Sequence, residues 1–145
     1  MTDDRFELAR FRTAQDAGGT YDRALAELQR GRKESHWMWF VFPQLAGLGR
    51  SSMARRYAIS SLDEARAYLA DPVLGARLRE CTRIVAETAD DPVAVFGGVD
   101  AMKLRSSMTL FLRAAPSEAV FAAVLERHFA GEPDAATDEL LCASR

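Results

Sequence analysis

Apolar residues recur at three- and four-residue spacing along almost the whole chain, and no stretch shows the strict alternation between turn signals that marks a strand. The pattern predicts an all-α fold. Leu8, Phe11 and Ala14 mark the inward face of a first helix that stops at Gly18-Gly19. Thr20 then stands where a hydroxyl caps a second helix, in which Tyr21, Leu25 and Leu28 fall at i, i+4 and i+7 and which Gly31 closes. Ser61-Leu62-Asp63-Glu64 has the form of a capping box and opens a helix with Leu62, Ala65 and Leu69 inward. Asp71-Pro72 and Asp91-Pro92 each set a capping carboxylate before a proline, which has no amide hydrogen to leave orphaned in the first turn.

Between those two signals Leu74, Leu78, Cys81 and Val85 form an apolar stripe, which makes Cys81 a small buried hydrophobe. After Gly97-Gly98 the pattern predicts a helix over 100–114, with Leu104, Met108, Phe111 and Ala115 on one side and Lys103, Ser106, Ser107 and Leu110 on another. Ser117 is expected to cap a helix holding Phe121, Val124, Leu125 and Phe129, and Asp134 a short final one. Residues 35–49 break the period. Apolar side chains crowd from Trp37 to Pro43 while Pro43, Gly47 and Gly49 oppose a long helix, so a short helix or irregular segment is expected there. That segment holds both tryptophans and serves either as the plug of the core or as the wall of a pocket. No linker or composition break appears, and residues 1–145 read as one compact multi-helix domain around this aromatic-rich segment.

Composition alters this picture mainly by exclusion. With 48% hydrophobic and 28% charged residues the chain is ordinary for a globular domain, and a net charge of −2 does not suit wrapping by duplex DNA. Two cysteines, Cys81 and Cys142, form no metal-spaced cluster, so no structural zinc site is expected. No apolar run is long enough for a membrane span, and the first residues lack the basic-then-apolar order of a leader; a cytoplasmic protein, monomer or homodimer, is expected.

Charge is distributed unevenly. Residues 30–56 carry Arg30, Arg32, Lys33, Arg50, Arg55 and Arg56 against Glu34 alone, a local excess of five positive charges that leaves the rest of the chain at −7. Lys103, Arg105 and Arg113 follow in a segment, 101–114, without an acid. If the two meet, they make a surface for a small anionic ligand. Gly47-Leu48-Gly49-Arg50-Ser51-Ser52 is a glycine loop ending in hydroxyls before a helical pattern over 53–58, an arrangement that presents free amides to a phosphate, though it lacks the spacing of a Walker loop. Lys103-Leu104-Arg105-Ser106-Ser107 repeats the Arg-Ser-Ser element. The candidate ligand-binding residues are therefore Lys33, Trp37, Trp39, Arg50, Ser51, Ser52, Lys103, Arg105, Ser106 and Ser107. His36 is the candidate neutral-pH proton carrier and Asp100 the acid nearest the second basic stretch, though each has a structural role open to it, as a core histidine and as a helix cap.

Gly31-Arg32-Lys33, the string His36-Trp37-Met38-Trp39-Phe40-Val41-Phe42-Pro43-Gln44, Gly47-Leu48-Gly49-Arg50-Ser51, Glu64-Ala65-Arg66-Ala67-Tyr68-Leu69 and Lys103 through Phe111 together resemble the bacterial domain-of-unknown-function family 1810 over essentially the whole chain. The resemblance implies a compact, mainly helical domain without a cofactor. In aromatic and basic-polar patterning alone the chain is also similar to the NADAR-type helical proteins that act on ADP-ribose adducts. That likeness implies a diphosphate cradled by the two Arg-Ser-Ser stretches, adenine stacked on Trp37 or Trp39, and proton transfer at a glycosidic carbon by Asp100 or His36. The expected function is binding of a nucleotide or ADP-ribose derivative in a basic, aromatic-lined pocket, with glycosidic hydrolysis as its extension. The alternatives are an interaction module or homo-oligomer using the aromatic segment, and a local single-strand RNA binder.

Overall fold

The structure, a computed structural model, describes residues 4–143. In chain order the helices are α1 (Ala9–Asp16), a single 3-10 turn (Ala17–Gly19), α2 (Thr20–Arg30), α3 (Met38–Val41), α4 (Ser52–Arg56), α5 (Leu62–Ala70), α6 (Leu74–Glu87), α7 (Pro92–Phe96), α8 (Gly98–Ala114), α9 (Ala119–His128) and α10 (Ala135–Ala143). The all-helical expectation holds: among the described residues the sole extended pairing is a parallel bridge between Leu45 and Ile59.

Several start signals act as read. Ser61 Oγ accepts the Glu64 amide at the head of α5, and Asp91 accepts from Val93 ahead of Pro92 in α7. Asp71 accepts from the amides of Val73 and Leu74 at the head of α6. Half of the capping box is redirected, because Glu64 reaches one residue further back and accepts from the Ser60 amide and hydroxyl. Two expected caps are not made. Gly19, left-handed at φ 70°, precedes α2 while the Thr20 hydroxyl donates to Ala17 O at 2.6 Å, and α9 begins after Glu118, one residue beyond Ser117. In each case a backbone turn sets the entry before a side chain is needed.

α8 forms the axis, packing against α5, α7, α9 and α10, while α6 joins α2, α5 and α9. The sequence pattern gave α8 one apolar side; the structure buries every residue from Ser106 to Phe111. Ser106, Ser107 and Thr109 thus allow neighbouring helices to surround the rod, since a helix buried all round needs small or apolar residues on each face. Ring contacts cross the core from Phe40 through Tyr57, Phe11, Tyr68 and Phe111 to Phe121, with centroids 5.1–5.9 Å apart. Gln15, buried beneath them, donates to Phe40 O and accepts from Arg77.

The bridge positions the candidate site. Ala46 N donates to Ile59 O and Ile59 N to Gln44 O, both at 2.8 Å, so the excursion carrying α4 and its three arginines is pinned at its base. Leu140 of α10 packs against Gly47, which stands at φ 101°.

Glycine at two helical positions makes opposite predictions. A Cβ on Gly75 would overlap the Leu69 carbonyl oxygen where α5 passes α6, whereas one on Gly98 meets nothing. Gly75→Ala is expected to lower stability by about 1–3 kcal/mol. Gly98→Ala is expected to leave stability unchanged or raise it by about 0.4–1 kcal/mol; urea denaturation of the two variants checks both.

Candidate anion-binding site

The loop between α2 and α3 is built on one buried carboxylate. Glu27, 2% exposed on the inner face of α2, accepts from the amides of Glu34 (2.7 Å) and Ser35 (2.9 Å), from Ser35 Oγ (2.5 Å) and from Trp37 Nε1 (3.0 Å). Burial alone would push its pKa up, but these four donors outweigh it and hold the carboxyl at about 2. The loop is thereby folded over Glu27 and the Trp37 indole drawn wholly inside, against Phe42 and Phe96. Trp37 is thus core, unavailable for stacking on a base, because its N–H partner lies in the interior.

The same loop fixes Lys33, whose ammonium lies 5.0 Å from the Trp37 ring centroid, donates to Ser35 O and pairs with Asp100 Oδ2 at 3.0 Å. Asp100 also meets Lys103 Nζ at 3.6 Å. Lys103 in turn stands 5.0 Å from the ring centroid of Trp39, which α3 leaves half-buried. Alternating cations, rings and one carboxylate therefore tie the first turns of α8 to the aromatic segment.

Beside this array the α4 excursion and α8 enclose a hollow of about 460 Å³, within the range of small-molecule pockets. Arg50 and Ser51 border it from the glycine loop and Lys103 and Ser106 from α8, so the two basic stretches do converge. Arg50 meets no carboxylate among the described residues. Leu48, Val99 and Met102 supply an apolar rim, with Val99 71% and Met102 72% exposed. A smaller hollow of about 130 Å³, bordered by Trp39, Tyr57 and Arg55, shares Gln44, Gly49 and Ala54 with it.

Other sequence candidates do not border this hollow. Arg105 is turned away: its Nε donates to Glu132 O at 2.9 Å and its Nη2 lies 3.4 Å from Glu132 Oε2. Ser107 is fully buried with an unpartnered hydroxyl, a consequence of packing around α8. Ser52 is exposed on the first residue of α4 outside the lining, and Ser51 spends its Oγ on the Ala54 amide, which removes one of the donors the loop was expected to offer a phosphate. His36 is exposed, neither in the core nor among the residues lining either hollow, and Asp100 is held by two lysines outside the lining.

The acid that does border the hollow is Asp134, expected only as a cap. It caps α10 by accepting from the Thr137 amide and hydroxyl, and its Oδ2 stands 3.0 Å from Ser106 Oγ. No spacing linked Asp134 to residue 106; α10 brings it there by docking on α8. The buried Glu27 also escaped the sequence reading, because a glutamate facing the core has no signature in a helical period. Cys81 lies where expected, with burial pushing its thiol up to about 12, so it stays protonated and inert. Among the described residues no group of three His, Cys, Asp or Glu side chains could hold a metal ion, and no helix is long and apolar enough to cross a membrane.

A family model described as a protein of unknown function, DUF1810, matches residues 5–141, and the chain belongs to that family. The crystal structure of the conserved hypothetical protein Rv1873 from Mycobacterium tuberculosis superposes with a TM-score of 0.92 at 48% identity, covering 96% of this chain and 99% of that one. No curated protein matches the sequence.

Glu27 makes a pH-dependent contribution to stability. Its pKa falls from an ordinary 4.5 to about 2 on folding, so the stabilisation is complete above pH 5 and is lost as pH drops through that window. The shift corresponds to a loss on the order of 3 kcal/mol. Denaturant unfolding between pH 7 and pH 2 is expected to show that loss, and Glu27→Gln to be less stable at pH 7 with a flatter acid limb.

Proposed function

We propose that the chain binds a phosphorylated small molecule, a nucleotide or an ADP-ribose derivative, in the hollow between α4 and α8. One observation carries the reading: Arg50, without a carboxylate partner among the described residues, and Lys103, paired with Asp100 at 3.6 Å, border the same concave space beside an apolar rim. Guanidinium and ammonium groups suit phosphate oxygens, and Leu48, Val99 and Met102 offer a face for a base or ribose. Trp39, in the adjoining hollow, is the aromatic available to such a ligand, in place of Trp37.

No reaction is assigned to this hollow. His36 stands away from the hollow and the Asp100 carboxylate is engaged by Lys33 and Lys103, so neither supports the proton transfer that glycosidic hydrolysis needs. The two free cysteines fit a reducing cytoplasm as the site of action.

A second reading has its own support in the same rim. Val99 and Met102 are among the most exposed large apolar side chains described, and such positions side by side suit a contact with a second copy or another protein.

Titration calorimetry with AMP, ADP and ADP-ribose separates the readings. Binding is expected, weakened about tenfold or more by Arg50→Ala and by Lys103→Ala and unchanged by Arg105→Ala. Absence of heat with every one of these ligands, together with a dimer in sedimentation velocity that Met102→Glu dissociates, would establish the second reading instead.

A further inference from the structure

The chain before α1, the C-terminal end of α4 and the start of α5 enclose another hollow, of about 590 Å³, lined by Arg5, Arg10, Arg55, Arg56, Glu7 and Glu64 among others. Its cations are in two different states. Arg10 is a fixed strut: Nε donates to Arg56 O, Nη1 to Phe6 O and Glu7 O, and Nη2 to Ala58 O and, at 3.0 Å, to Glu64 Oε2. Glu64, 3% exposed, is filled by that guanidinium and by Ser60. These two charges cancel, and their bonds hold both walls of the hollow.

Arg5, Arg55 and Arg56 are the other state. Among the described residues none of these three guanidiniums donates a hydrogen bond or meets a carboxylate, whereas most other arginines of the chain do one or the other. Arg5 and Arg56 rest over the rings of Phe6 and Tyr57, at 4.7 and 5.5 Å, which supports the planes and leaves the N–H edges available. Glu7 is the remaining acid of the lining. Its carboxylate pairs with none of the three, and its backbone stands at φ 55°, a conformation unfavourable for a residue with a side chain, with the Phe6 and Glu7 carbonyls turned onto Arg10. With Arg10 cancelled by Glu64, three guanidiniums stand against the single Glu7 carboxylate and leave the lining at +2; these like charges repel one another, and a bound anion relieves that repulsion.

We propose that this hollow is a separate site for a multiply charged oxyanion, a di- or triphosphate group, held by the guanidinium forks of Arg5, Arg55 and Arg56. Planar forks match the oxygens of a phosphate chain, and the Arg10–Glu64 strut keeps the site open without competing for the ligand. The site does not depend on the nucleotide reading of the α4–α8 hollow, since no residue borders both.

Titration of the full chain with inorganic tripolyphosphate at low and raised salt, with circular dichroism confirming that each variant folds, tests the assignment. Expected are binding that weakens with salt, a further loss of about tenfold or more in Arg5→Ala and in Arg56→Ala, and no change in Arg105→Ala, whose guanidinium is bonded to Glu132 and borders neither hollow. No binding of tripolyphosphate at low salt overturns the proposal, as does binding that Arg5→Ala and Arg56→Ala leave intact. Binding lost in Arg50→Ala but kept in the other two also overturns it, and in that case leaves the α4–α8 reading standing.

Discussion

A carboxylate taken out of water and given four hydrogen bonds organises the aromatic loop and its link to α8. Glu27 gathers Glu34, Ser35 and Trp37 around itself, and an isolated buried charge of this kind would be prohibitive without those donors. Because the Trp37 indole is one of them, the aromatic segment enters the core at a fixed point and α3 begins immediately after it. The position of Lys33 follows from the same loop, and through Asp100 and Lys103 so does the link to α8. The aromatic string is therefore neither purely a plug nor purely a wall: Trp37, Phe40 and Phe42 are interior, while Trp39, two residues on, stands at the boundary.

The basic segment divides by a simple electrostatic sorting. Arg30 and Arg32 lie near Glu34 on the exposed surface, and Lys33 is neutralised by Asp100, so half of its cations have partners. Arg50, Arg55 and Arg56 ride on the α4 excursion, where no acid of the described chain reaches them. The excess of positive charge visible in the composition thus becomes three unpaired guanidiniums around one short helix, bordering hollows on both sides of its lining residues.

Helix ends with a side-chain signal were legible from the residues alone. Asp91-Pro92, Ser61 and Asp71 each place an acceptor two or three residues before the amides they satisfy, a purely local matter. Thr20 and Ser117 were misread because Gly19 and the turn before Glu118 had already fixed the entry. Arg50 and Lys103 border one hollow, whereas Arg105, two residues from Lys103 and expected there with Arg50, was not separable from it by sequence: its direction is set by Glu132, which arrives from the segment after α9.

The periodicity, the caps and the density of aromatic residues were enough to determine an all-helical chain with an irregular, tryptophan-bearing insert, because each depends on neighbours within a few residues. Tertiary structure alone decided which charges remain unpaired, that Asp134 rather than Asp100 borders the hollow, and that α8 is buried on every face from Ser106 to Phe111. These outcomes depend on groups separated by tens of residues, whose meeting is set by how helices pack around α8, and a linear pattern carries no record of that distance.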